Sequence, residues 1–175
     1  PYTDGVHAGR NNEYMIEDQR FATKRPDVLT FHTDALPDDL TLAGPLLADL
    51  WVSTSGTDAD FVVTVIDELP DGTQRLVRAE VMRGRFRNSF SKPEAFKPNE
   101  PTQVKYELPD VLHTFRKGHR LLVQVQSTWF PLVDRNPQKY VDNIYNADEA
   151  DFQAATHRLY HAPGHMSQLA VKVLP

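Results

Sequence analysis

A chain of 175 residues suits one domain, and a domain near that size buries roughly 70% of the surface that its unfolded form exposes; an apolar content of 40% supplies the core. The net charge of -5 leaves no basic footprint for nucleic acid or an anionic membrane surface, and no apolar run approaches the roughly 20 residues of a membrane-spanning helix. With no cysteine in the chain, disulfides and thiolate chemistry are excluded.

The first residues, Pro1-Tyr2-Thr3-Asp4-Gly5-Val6-His7-Ala8, lack the charged and apolar regions of a signal peptide. They read as an interior linker, so the chain is expected to be a piece of a longer protein. Its compartment, cytoplasmic or exported, is then set upstream. Residues 1–27 are read as an arm from a preceding domain and 28–175 as the folded domain, with 14–21 forming a helical turn or an extended arm. Residues 28–33 are apolar and β-branched. Residues 40–55 are strand-like, but Gly44-Pro45 predicts two strands around a bend. Residues 61–69 alternate and end at Pro70-Asp71-Gly72, where proline presets the first turn angle and glycine accepts the positive one. Residues 74–82 return antiparallel, giving the clearest hairpin in the sequence. A further short strand is expected over 85–90, then a proline-rich loop over 91–101, a strand over 102–108 and one helical turn over 110–118, closed by Gly118.

Residues 120–128 alternate strictly, with Leu121, Val123, Val125 and Ser127 opposed to Leu122, Gln124, Gln126 and Thr128. That is the period of a half-buried strand. Trp129-Phe130-Pro131 ends the ladder, because proline has no amide to donate. A polar loop follows over 134–151, with helical character expected over 147–154, and the last two strands fall at 156–161 and 167–173. About nine short strands with almost no amphipathic helix predict an all-β fold. The expected architecture is a two-sheet antiparallel β-sandwich of jelly-roll, galactose-binding-domain-like type. An immunoglobulin-like sandwich fits the same spacing.

Catalytic signals are absent. The elbow G-x-S-x-G does not occur, and Ser53, Ser55, Ser89, Ser91, Ser127 and Ser167 all read as strand or turn residues. His157, His161 and His165 recur every four residues, yet Ala162-Pro163-Gly164 opposes a helix there. On a strand, His157 and His161 would stand about 13 Å apart, too far to share an ion. His113 and His119 flank a turn. No metal or cofactor site is therefore assigned, although carboxylates such as Asp58 and Asp60, or Asp148, Glu149 and Asp151, are of a type that binds calcium. Arg83, Arg85 and Arg87 fall at period two, which on a strand would line one face for internal pairing or for docking. Trp51, Trp129 and Phe130 suit either packing or a sugar-stacking platform, and the latter would make the chain an autonomous carbohydrate-binding or lectin-like module.

Several blocks occur in a specific order: Glu13-Tyr14-Met15-Ile16-Glu17-Asp18-Gln19-Arg20-Phe21, Arg25-Pro26-Asp27-Val28-Leu29, Leu40-Thr41-Leu42-Ala43-Gly44-Pro45, Thr57-Asp58-Ala59-Asp60-Phe61, Arg83-Gly84-Arg85-Phe86-Arg87-Asn88-Ser89 and Asp134-Arg135-Asn136-Pro137. In this order they resemble the C-terminal β-sandwich domain of bacterial serine hydrolases related to X-Pro dipeptidyl-peptidase, α-amino-acid ester hydrolase and cocaine esterase. The resemblance implies a non-catalytic domain. The nucleophile and triad would sit in an upstream α/β-hydrolase domain of the same polypeptide, which is the expected partner. The parent would cleave a small acyl ester, amide or X-Pro peptide through an acyl-enzyme. Trp129, Phe130, Asp134, Arg135, Asn136, Arg85 and Arg87 are the candidate contacts with that domain and its substrate cleft. A within-chain interface of about 600–1,500 Å² is typical. Its loss would expose an apolar face through which a homo-oligomer could form.

Overall fold

A computed structural model describes residues 17–175; residues 1–16 of the expected arm lie outside the described residues, and the described part of the segment 14–21 runs into a helical turn that opens at Arg20. Two antiparallel sheets face each other. The first has the order β1–β6–β3–β4, built from β1 (Val28–His32), β6 (Arg120–Gln126), β3 (Asp60–Glu68) and β4 (Gln74–Arg83). The second is organised by one long strand, β2 (Leu40–Thr54), with β5 (Thr102–Phe115) along one side. On its other side β11 (Val173–Leu174), β10 (Gln168–Ala170) and β7 (His157–Leu159) pair in turn. A small hairpin joins β8 (His161–Ala162) to β9 (His165–Met166). Among the described residues, helix is confined to one turn, α1 (Arg20–Thr23), and three 3₁₀ turns. The chain is thus an all-β sandwich, as its patterning predicts.

The core lies between the sheets. Leu42, Leu46, Leu50 and Val52 of β2, Val104 and Leu108 of β5, and Phe61, Val63 and Val65 of β3 meet there. Leu121, Val123 and Val125 of β6 join them, which is the inward face expected from the alternation. The opposite face is not free either: Leu122 and Gln124 are buried. Residues 17–24 lie over it, where Gln124 Nε2 donates to Thr23 Oγ1 (3.0 Å), Thr23 Oγ1 to Gln74 Oε1 (2.8 Å) and Gln74 Nε2 to Glu68 Oε2 (2.8 Å). A buried amide at this position is tolerable because its hydrogen bonds are made.

The structure corrects several boundaries. β2 runs unbroken through Gly44-Pro45, where the expected bend is only a register shift between Gly44 and Leu46. β5 likewise continues from the expected 102–108 segment to Phe115, replacing the helical turn over 110–118. Both strands survive proline for the same reason: Pro45, with Pro109 and Asp110, falls in the bulge, where no ladder amide is required. The hairpin β3–β4 closes as expected, with Gly72 at φ 85° and its amide bonded to Leu69 O (2.9 Å). The strand expected over 85–90 is instead a 3₁₀ turn, Gly84–Phe86. Helical character over 147–154 is limited to a second such turn, Glu149–Asp151. In place of the last two strands stand five shorter ones, β7 to β11.

Candidate docking surface

The loop over 127–156 leaves the end of β6, folds over the turn at 55–59 that joins β2 to β3, and returns as β7. Its attachment is mostly backbone. Gln138 O accepts from Thr57 N (3.1 Å) and Asp58 N (3.4 Å), and Tyr140 N donates to Thr57 Oγ1 (2.8 Å). The returning limb is tied in by Gln153 N, bonded to Pro137 O (3.0 Å), and by Gln153 Nε2, bonded to Gln138 O (3.1 Å). The approach is so close that a Cβ on Gly56 would sit 2.1 Å from Gln138 O. Only glycine fits there.

Beneath the loop are paired charges. Asp58 is fully buried, and its Oδ2 accepts from Arg85 Nε (2.8 Å) and Nη2 (2.6 Å). Arg85 also donates through Nη1 to Val141 O (2.8 Å) and lies 4.5 Å from the Tyr140 ring centre. Asp60 is the second anchor: Oδ1 accepts from Asn136 Nδ2 (2.8 Å), while Arg83 Nε stands 3.4 Å from Oδ2. Arg83 reaches on to Asp134, 3.5 Å away. Burial pushes the Asp60 carboxyl up to about 6, with Asp58 adding to the effect and Arg83 and Asn136 opposing it. Arg87 donates to the carbonyls of Gly84, Glu94 and Ala95 and lies over Phe96 at 4.3 Å. The three arginines therefore do not line one strand face as their spacing suggests. The 3₁₀ turn rotates them apart, and each holds a different segment.

The candidate contacts thus divide by position. Arg85 and Asn136 are buried, Arg87 is nearly so, and all three hold backbone in place. Trp129 is half-buried, whereas Phe130, Asp134 and Arg135 are exposed. Phe130 shows 62% of its surface and Tyr145 81%, large values for aromatic side chains. The Arg135 guanidinium sits between two rings, 5.6 Å from Phe130 and 5.4 Å from Phe152. Phe152 and Tyr145 escaped the sequence reading because nothing local marks them. Phe152 meets Arg135 only when the loop folds back.

Elsewhere Ser53, Ser55, Ser167 and five of the histidines make structural contacts. Ser53 Oγ bonds Tyr160 Oη (2.9 Å), Ser55 Oγ accepts from Thr156 N (2.9 Å) and Ser167 Oγ from Trp51 N (2.9 Å). Asp67 bridges His113 Nε2 (3.0 Å) and His119 Nδ1 (2.8 Å). His157, His161 and His165 turn to different rings, Phe61, Phe31 and Trp51. Trp51 lies on the outer side of the five-stranded sheet, edge-on to His165 at 4.6 Å. The loop therefore offers aromatic area and a cation on a braced frame, an arrangement suited to recognition rather than bond cleavage.

Comparison with known proteins places the chain beside larger hydrolases. The family described as "X-Pro dipeptidyl-peptidase C-terminal non-catalytic domain" matches residues 5–170. Cocaine esterase of Rhodococcus sp. (strain MB1 Bresler) is 29% identical over 174 residues, covering 99% of this chain and 30% of the esterase. An aminopeptidase from a marine sediment archaeon, Thaumarchaeota archaeon, superposes with a TM-score of 0.91 at 39% identity, covering 93% of this chain and 28% of that one. An α-amino acid ester hydrolase gives a TM-score of 0.89 at 44% identity, covering 91% and 28%. The chain thus spans less than a third of the length of each of these three proteins.

Proposed function

Because the chain belongs to the X-Pro dipeptidyl-peptidase C-terminal non-catalytic domain family, we propose that it is the accessory domain of a serine acyl hydrolase and that its 129–136 loop docks on the catalytic domain and walls the substrate cleft. The observation that carries this reading is the contrast within the loop. Its frame is fastened by the buried Asp58–Arg85 and Asp60–Asn136 contacts, yet Phe130 and Arg135 project outward. Large apolar groups on a pre-organised frame are characteristic of interfaces, because little ordering entropy is lost on contact. The parent reaction is hydrolysis of an acyl ester or amide, with ester cleavage favoured by the 44% identity to an α-amino acid ester hydrolase.

Trp129→Ala in the full-length enzyme tests the docking role. The expected result is a raised KM, a lowered melting temperature, or both. An unchanged KM, kcat and melting temperature would refute it. Labelling of the full-length protein by a fluorophosphonate tests the reaction class, and failure to label a folded, active enzyme would exclude a serine acyl-enzyme.

A further inference from the structure

We infer that Arg135 is the receptor for a carboxylate, the side chain of an aspartate or glutamate on the part of the polypeptide that lies outside this chain. The inference rests on the docking role proposed for the 129–136 loop and adds the chemistry of what meets it.

The other arginines of this region are already engaged. Arg83 shares Asp60 and Asp134, Arg85 takes Asp58, and Arg87 is held by three carbonyls. Farther away, Arg116 meets Asp39 and Arg120 meets Glu68, while Arg78 and Arg158 donate to oxygens of Asp110 and Asn99. Arg135 differs. It is exposed, and its contacts among the described residues are the faces of Phe130 and Phe152. Its sequence neighbour Asp134 is drawn toward Arg83 instead. Among the described residues it is the arginine that stacks on two rings while pairing with no acid.

The rings do not satisfy a guanidinium. Contact with an aromatic face orients the cation and sheds part of its water, but the N–H groups along its edge stay available. A planar fork held in one orientation matches a carboxylate through two parallel hydrogen bonds. The backbone that carries it is also set: Asn136 is bonded to Asp60, and Gln138 to Thr57 and Asp58. Arginine flanked by aromatic side chains is the composition of an interface hot spot, where surrounding apolar contacts exclude water from the central charge. A neutral partner would leave that charge desolvated and unpaired, which is costly; a basic partner would be repelled. An acid is the complement that remains, and the rest of a polypeptide more than three times this length is the surface positioned to supply it.

The test uses the full-length protein with Arg135→Lys, Arg135→Gln and Arg135→Glu, reading melting temperature at 20 mM and 500 mM salt together with kcat and KM. The expected result is a graded loss, smallest for Lys and largest for Glu. At low salt the Glu variant should fall by roughly 3 °C or more, and the difference should shrink at high salt because it is electrostatic. Replacing acidic residues of the catalytic portion by lysine, one at a time, should identify one that restores the Arg135→Glu variant. A Glu variant that melts with the wild type at low salt overturns the inference. So does a variant with unchanged melting whose KM rises only for carboxylate-bearing substrates, since the guanidinium would then read substrate. If Trp129→Ala perturbs the enzyme while Arg135→Glu does not, docking stands and the carboxylate falls. If neither perturbs it, the docking role itself falls.

Discussion

Removing the Arg85 guanidinium is the sharpest single perturbation of this loop. Arg85→Met keeps much of the side-chain volume but leaves Asp58, fully buried, with one remaining bond, from Ala59 N at 2.9 Å. It also strands Val141 O, which loses its 2.8 Å donor. Breaking a buried ion pair by deleting one partner costs about 3–5 kcal/mol, because the surviving charge stays desolvated. For a domain of this size that corresponds to a melting temperature lower by roughly 6–20 °C. Urea unfolding followed by the fluorescence of Trp51 and Trp129 measures it, and amide exchange over 138–146 should accelerate as the anchor is lost. The double variant Asp58→Asn/Arg85→Met should be more stable than Arg85→Met alone, since it carries no orphaned charge. A cost below about 1 kcal/mol for Arg85→Met, or a double variant no better than the single one, would show that Asp58 does not depend on this partner.

Two further outcomes follow from the same frame. Gly56→Ala places a methyl 2.1 Å from the carbonyl oxygen of Gln138, so backbone must move; loss of the Thr57 N to Gln138 O bond should appear as faster amide exchange at Thr57, and native exchange there would contradict the packing. Asp60 titrates at about 6 in the folded protein against 3.8 for the free group, so between those values the folded state holds more protons than the unfolded state. Its contribution to stability is therefore greatest below pH 4 and is lost as pH rises through 6, by about 3 kcal/mol in total. The stability difference between wild type and Asp60→Asn, followed by urea unfolding from pH 4 to 8, should move in favour of the variant with rising pH. A flat difference would show that Asp60 does not titrate in this range.

The residues themselves determined the sandwich and much of the candidate surface. Val63, Val65, Val123 and Val125 alternate with outward residues, and a period of two reports which side chains face the core before any partner is known. Pro70-Asp71-Gly72 closes the hairpin because the turn chemistry is contained in three neighbours. Trp129, Phe130 and Arg135 were legible because they lie together in one short segment. Tertiary structure decided what local pattern cannot carry. Alternation does not say what covers the second face of a strand, so the burial of Leu122 and Gln124, the latter bonded to Thr23, was invisible. Proline at 45 and 109 signals a break only where an amide is needed, and the two strands placed both prolines in one bulge. The spacing of Arg83, Arg85 and Arg87 suggested one face until the turn at Gly84–Phe86 rotated each toward a separate partner. Phe152 joins Arg135 only through the return of the loop. That return is held by Gly56, Asp58 and Asp60, which lie far upstream in sequence and meet the loop only when the two sheets pack.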